Sequence, residues 1–138
     1  MATILIVDAE ETWRQLLKER LEPDGFEVLT ASNGAEGLRI VEEASPDVVV
    51  TEARLPGMDG LDLMTRILDR HPRMRVVLHS SCVSYLDNFL SWAADACLLK
   101  SPDTGELEET VRKLLGGGQA RDGPTASPEP ARAAGPSR

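Results

Sequence analysis

Four side chains suited to phosphoryl chemistry close short apolar runs: Asp8 after TILIV, Glu52 after VVVT, Ser80 at the end of RVVLHS, and Lys100 after ACLL. Carboxylates hold Mg²⁺, while an ammonium and a hydroxyl meet phosphate oxygens, so the set suits a phosphoryl group carried with its metal. Each residue alone has a plainer reading. Asp8 could cap a helix, Ser80 could belong to a turn, and Lys100 could be a solvated charge. All four at the ends of separate runs are much less readily a coincidence.

The elements that must position them alternate along the chain. TILIVD (Thr3 to Asp8) reads as a strand buried on both faces. Glu11 to Glu22 is predicted helical through Trp13, Leu16, Leu17 and Leu21, with Pro23 and Gly25 stopping it. FEVLT (Phe26 to Thr30) is a second strand, and Asn33 with Glu36 at capping-box spacing opens a helix to about Ala44. DVVVTE (Asp47 to Glu52) is a third strand, and Asp59 caps a helix from Gly60. RVVLHS (Arg75 to Ser80) is a fourth strand, Ser84 to Ala94 a fourth helix, and Ala96 to Leu99 a fifth strand. A last helix runs from Asp103 or Thr104 to Leu115, with Asp103 and Glu106 at capping-box spacing. Strands separated by helices of this length imply right-handed crossovers and a doubly wound α/β fold with a parallel sheet. In such sheets ligands gather at the carboxyl ends of the strands, where the four residues stand.

Composition narrows the function classes. The 138 residues carry 23 Asp/Glu against 15 Lys/Arg, a net charge of −8. That length fits one compact domain with some tail. No stretch has the roughly 18 apolar residues of a membrane span. The first residues lack the basic cluster of a secretory signal, so a cytoplasmic location is expected. A net acidic surface disfavours direct nucleic-acid binding. Cys82 and Cys97 read as reduced thiols, and neither forms a metal-spaced pair with His71 or His79. From Gly116 to Arg138 the chain holds five Gly, four Pro and no branched aliphatic or aromatic residue. Such a segment buries too little apolar surface to offset its ordering entropy. It is read as a disordered tail or linker after a domain of residues 1–115.

The strand-end residues carry a family resemblance. From Met1 to Leu115 the chain resembles the receiver domain of bacterial two-component response regulators. The most specific segment is DVVVTEARLPGMDG, Asp47 to Gly60; the opening Ile4-Leu5-Ile6-Val7-Asp8 and the late Leu98-Leu99-Lys100 agree with it. The resemblance implies a flavodoxin-like fold with strand order 2-1-3-4-5 and phosphoryl transfer from a histidine kinase to an aspartate. It places the phospho-acceptor four residues before the loop proline, at Glu52. Ser80 becomes the switch hydroxyl, Lys100 the phosphate-facing lysine, and Cys97 stands where the family has a switch aromatic. The implied metal ligands are Asp8, Glu52 and the backbone carbonyl of Arg54.

Two departures strike that chemistry. Glu52 is one methylene longer than the expected aspartate, and in-line transfer loses on the order of 100-fold in rate for a misplacement of about 1 Å. Ala9 stands where the family has a second acid, removing a ligand from a Mg²⁺ site that tolerates irregular geometry poorly. No resident cofactor is therefore expected, and any Mg²⁺ binding is weakened. The leading expectation is a pseudo-receiver, in which Glu52 reaches Lys100 or Ser80 and holds one conformation without phosphate. The alternative is a working receiver that accepts phosphate inefficiently or at an unusual residue; Thr51 is a weaker acceptor because alternation turns it away. A flavin-binding flavodoxin fits poorly, since Ala9 to Thr12 lacks a hydroxyl- and glycine-rich phosphate cradle.

In the family, signals commonly pass through the face built by the fourth helix, fifth strand and fifth helix. Tyr85 and Trp92 lie on one edge of the fourth helix, beside its apolar stripe. They read equally as anchors for a protein partner, or for a second copy of the chain in a homodimer, and as rings lapping the core. Cys97 in place of an aromatic fits a surface not toggled by phosphate. Trp13, His71 and His79 read as packing or as residues without a role.

Overall fold

The computed structural model describes residues 1–81 and 93–116. Its strands are β1 (Thr3–Val7), β2 (Glu27–Ala31), β3 (Val48–Thr51), β4 (Arg75–Ser80) and β5 (Ala96–Leu99). Between and after them come α1 (Glu11–Leu21), α2 (Gly34–Ala44), α3 (Gly60–Arg70) and a C-terminal helix (Gly105–Gly116). The bounds depart from the sequence expectation by a residue where the chain leaves the ladder. Asp8 and Glu52 lie just past β1 and β3, and a short 3₁₀ turn over Glu22–Asp24 shortens α1. The fourth helix expected at 84–94 falls almost wholly outside the described residues. Tyr85, Trp92, Cys82 and the tail from residue 117 lie outside them too.

The five strands form one parallel sheet in the order β2-β1-β3-β4-β5. Alternation distributes their apolar residues to two faces. Ile4, Ile6, Val48, Val50 and Val77 pack with Leu17 and Leu21 of α1 and with Leu107 and Val111 of the C-terminal helix. Leu5, Val7 and Val49 pack on the other face with Val41 of α2 and with Leu63 and Ile67 of α3. Both faces are dry, which explains why β1 and β3 are continuous apolar runs rather than alternating ones.

Local signals start the helices, with two changes from expectation. Asn33 Oδ1 accepts the Glu36 N–H at 2.8 Å, and Asp59 Oδ1 accepts that of Asp62 at 2.9 Å. Glu36, however, returns to the N–H of Ser32 at 2.9 Å and to its hydroxyl, one residue before the cap. At the C-terminal helix, Asp103 Oδ1 accepts the Gly105 N–H, while Thr104 Oγ1 donates to Glu108 rather than Asp103 pairing with Glu106.

Register then fixes the site. Val7 pairs with Thr51 and Ser80 with Leu99, so Asp8 and Glu52 emerge side by side and Lys100 emerges beside Ser80. The Glu52 N–H still donates to Val7 O at 2.9 Å, and that of Lys100 to Ser80 O at 2.9 Å. Asp8, Glu52 and Lys100 keep the parity of Ile6, Val50 and Leu98, residues packed toward α1 and the C-terminal helix.

Candidate functional site

The carboxyl edge of the sheet holds a buried charge cluster. Lys100 Nζ lies 2.7 Å from Asp8 Oδ2 and 2.7 Å from Glu52 Oε1, with the three side chains 6%, 3% and 8% exposed. The remaining carboxylate oxygens are engaged as well. Asp8 Oδ1 accepts the Glu10 N–H at 2.9 Å, and Glu52 Oε2 accepts the Arg54 N–H at 2.9 Å. The Ser80 hydroxyl also hydrogen-bonds to Glu52. The extra methylene of Glu52 is thus taken up by a fold-back: one oxygen turns to its own chain two residues on, the other to Lys100.

Desolvation and pairing compete at each group. Burial raises the Asp8 carboxyl above its ordinary range, and its bonds to Lys100 and Glu10 only partly oppose this. Glu52 is subject to the same burial, yet bonds from Lys100, Arg54 N–H and Ser80 outweigh it and hold the carboxyl below its usual value. Lys100 resists the burial that would discharge it, because the two carboxylates raise its pKa. The cluster therefore sets two carboxyl groups around one ammonium whose charge they sustain.

Above it opens a cleft of about 460 Å³ lined by Asp8, Ala9, Glu52, Arg54, Asp59 and Lys100 among others. The exposed Arg54 contributes its N–H to Glu52 and lines this mouth. Thr51 is buried and donates its hydroxyl to the Glu52 carbonyl at 2.9 Å. Cys97 is half-buried among Leu61, Met64 and Leu78, away from the cleft. Among the described residues, no group of three or more His, Cys, Asp or Glu side chains could hold a metal ion.

Two residues read from sequence as packing belong to this cluster. The Trp13 ring centroid lies 5.1 Å from Lys100 Nζ, and the same ring meets the His79 imidazole edge-on at 5.2 Å and 87°. Two signals in the sequence would have found them. Trp13 lies in the first turn of α1, and helical side chains lean toward the N-terminus, here back over the end of β1. His79 has the parity of Val77, which faces α1.

His79 is 3% exposed, and burial, reinforced by the Lys100 charge, pushes its pKa down to about 4 despite the opposing pull of Glu52. The unfolded imidazole takes up a proton near its ordinary 6.5, whereas the folded one stays neutral until about 4. Stability is therefore full above the unfolded value and is lost as pH falls through this window. Chemical denaturation at pH 7 and pH 5 should differ by about 2 kcal/mol. His79→Leu should remove most of that difference. Glu52, whose carboxyl is lowered, loses stability in the same sense as pH falls, whereas Asp8, whose carboxyl is raised, acts in the opposite sense.

A doubly wound parallel sheet in this strand order, with acid, hydroxyl and lysine at its carboxyl edge, defines a flavodoxin-like receiver fold. Residues 4–112 match the model of the response regulator receiver domain, and the chain belongs to that family. It is a receiver domain of the two-component signalling class.

Among curated relatives, it is 30% identical over 114 residues to the sporulation initiation phosphotransferase F of Bacillus subtilis, covering 81% of this chain and 92% of that one. It is 32% identical over 108 residues to the DNA-binding transcriptional regulator NtrC of Escherichia coli, covering 78% of this chain but only 23% of that longer protein. Among solved structures, the response regulator TrrA of Thermotoga maritima in complex with Mg²⁺-BeF superposes with a TM-score of 0.81 at 37% identity, covering 83% of this chain and all of that one. TrrA in complex with the histidine kinase ThkA gives 0.78 at 37% identity, with 83% and 99% covered.

Proposed function

We propose that this receiver domain is a pseudo-receiver, a protein-binding module whose signalling conformation is set by Glu52 rather than by aspartyl phosphorylation. The observation that carries the reading is the double engagement of Glu52, which takes a bond from Lys100 at 2.7 Å and another from Ser80. Those are the two donors that the family resemblance assigns to phosphate oxygens. A standing carboxylate occupies them continuously, so the switch hydroxyl is already drawn to the acceptor position. This supports a state held by charge and geometry instead of by transfer.

The residues present do not fit the Mg²⁺ found with TrrA. Ala9 offers no side-chain donor, and Asp8 and Glu52 have every oxygen engaged, two of the four by the Lys100 ammonium. An octahedral ion would have to displace that ammonium from two contacts at once. The expected partner is a signalling protein, a histidine kinase such as the one bound by TrrA included. It, or a second copy of the chain, would meet the face that includes β5, whose Leu99 is 51% exposed.

The test is a beryllofluoride titration at ordinary Mg²⁺ concentrations, followed by amide NMR at Ala9, Ala53 and Ser81. The wild-type chain should show no saturable shift. The Ala9→Asp, Glu52→Asp double variant should bind the mimic and gain acceptor activity with a histidine kinase. Saturable wild-type shifts would instead identify a working, inefficient receiver.

A further inference from the structure

We infer that Trp13 is a positioning residue: its indole face is the third wall of a cage that keeps the Lys100 ammonium seated between Asp8 and Glu52 and so closes the strand-end site to divalent cations. This deepens the pseudo-receiver reading and rests on it, by naming what holds the internal cation in place of an external one.

The ammonium has three donor directions. Two are taken by carboxylates at 2.7 Å, and the indole centroid lies 5.1 Å from Nζ, inside the roughly 6 Å range over which a ring face attracts a cation. The attraction is strongest when the cation is desolvated, and only 6% of the Lys100 side chain is exposed. The ring is itself held in place. His79 meets it edge-on at 87°, and that imidazole is 3% exposed and neutral at physiological pH, so it does not repel the neighbouring ammonium. Trp13 lies on α1, and the helix is tied to the same strand end, because Arg14 donates to the Asp8 carbonyl at 2.7 Å. The cage is thus built from three chain segments, not from one flexible loop.

A divalent cation entering between the two carboxylates must first unseat Lys100, and the ring opposes that movement. Comparing two replacements of similar bulk, one with a π-face and one without, separates this role from simple packing. Full-length chains carrying Trp13→Phe and Trp13→Leu are titrated with Mn²⁺, with paramagnetic broadening of the Ala9 and Glu10 amide signals as the readout. The two replacement side chains are similar in size, but only Phe retains an aromatic face, weaker than that of Trp. Trp13→Leu should lower the Mn²⁺ concentration at half-broadening by up to about tenfold relative to wild type, with Trp13→Phe in between.

Equal half-points for Phe and Leu, or no change in either, overturn the inference. Should Trp13→Leu fail to fold, Trp13→Met provides the same apolar comparison. The outcome is distinguishable from that of the parent reading. Saturable beryllofluoride binding by wild type would defeat the pseudo-receiver, whereas the Phe-to-Leu ordering bears only on the cage.

Discussion

Lys100→Met should remove about 3–5 kcal/mol of stability at pH 7, measured as a shift in the urea unfolding midpoint at constant slope. The size follows from burial. Asp8 and Glu52 are 3% and 8% exposed at the side chain, and the Lys100 ammonium lies within ion-pair distance of both. Without it, two carboxylates confront each other in a poorly solvated site, and one of them must take up a proton or draw in water. Asp8→Asn added to Lys100→Met should recover a large part of the loss, since it removes one of the stranded charges. The contrast is Lys18→Met. Lys18 pairs with Glu22 at 3.9 Å, with both side chains nearly half exposed, and its removal should change stability by no more than about 0.5 kcal/mol. A Lys100→Met loss as small as that of Lys18→Met would mean that the cluster is solvated and the lock weak.

Gly60→Ala should cost about 3 kcal/mol or more, a packing error that the backbone cannot relieve by a rotamer change. A Cβ there would lie 2.0 Å from the Glu52 carbonyl oxygen and 2.8 Å from Ala53 Cα. Both obstacles are backbone atoms of the segment carrying Glu52, and the Gly60 N–H donates to Ala53 O at 2.8 Å. The first turn of α3 would have to move off β3, carrying Glu52 away from Lys100. Thermal unfolding should report the loss, and the amide shift of Arg54, bonded to Glu52 Oε2, should report the displacement. A melt within a degree of wild type would rule out the close approach.

Much of this site was readable because two periodicities meet in it. The apolar runs set the strands, and their ends put Asp8, Glu52, Ser80 and Lys100 on one edge of the sheet. Alternation placed Thr51 apart from Glu52, as its bond to the Glu52 carbonyl, away from Lys100, reflects. Longer-range choices were not readable. Glu36 bonds to Ser32 instead of closing the box on Asn33, and Thr104 selects Glu108, because side-chain reach at a helix start depends on how the incoming loop approaches. The bond that Glu52 Oε2 accepts from the Arg54 N–H was not readable either, because it depends on how the chain turns after β3. The role of Trp13 was missed for a related reason. An aromatic at a core-facing helical position reads as packing until the residue opposite it is known, and here that residue is a buried ammonium.

The placement of Lys100 has a mechanical consequence as well. β5 pairs with β4 and stands last in the strand order, which makes it an edge strand, the kind of element that can recruit strands from other chains. Immediately beyond β5, Lys100 reaches past the neighbouring strand to carboxylates that follow the two inner strands β3 and β1. The sheet is thereby stapled from rim to centre by a non-covalent crosslink. Peeling the rim away requires stranding charge as well as breaking ladder hydrogen bonds, so the contact of Lys100 with the two carboxylates also guards the sheet against opening at that border.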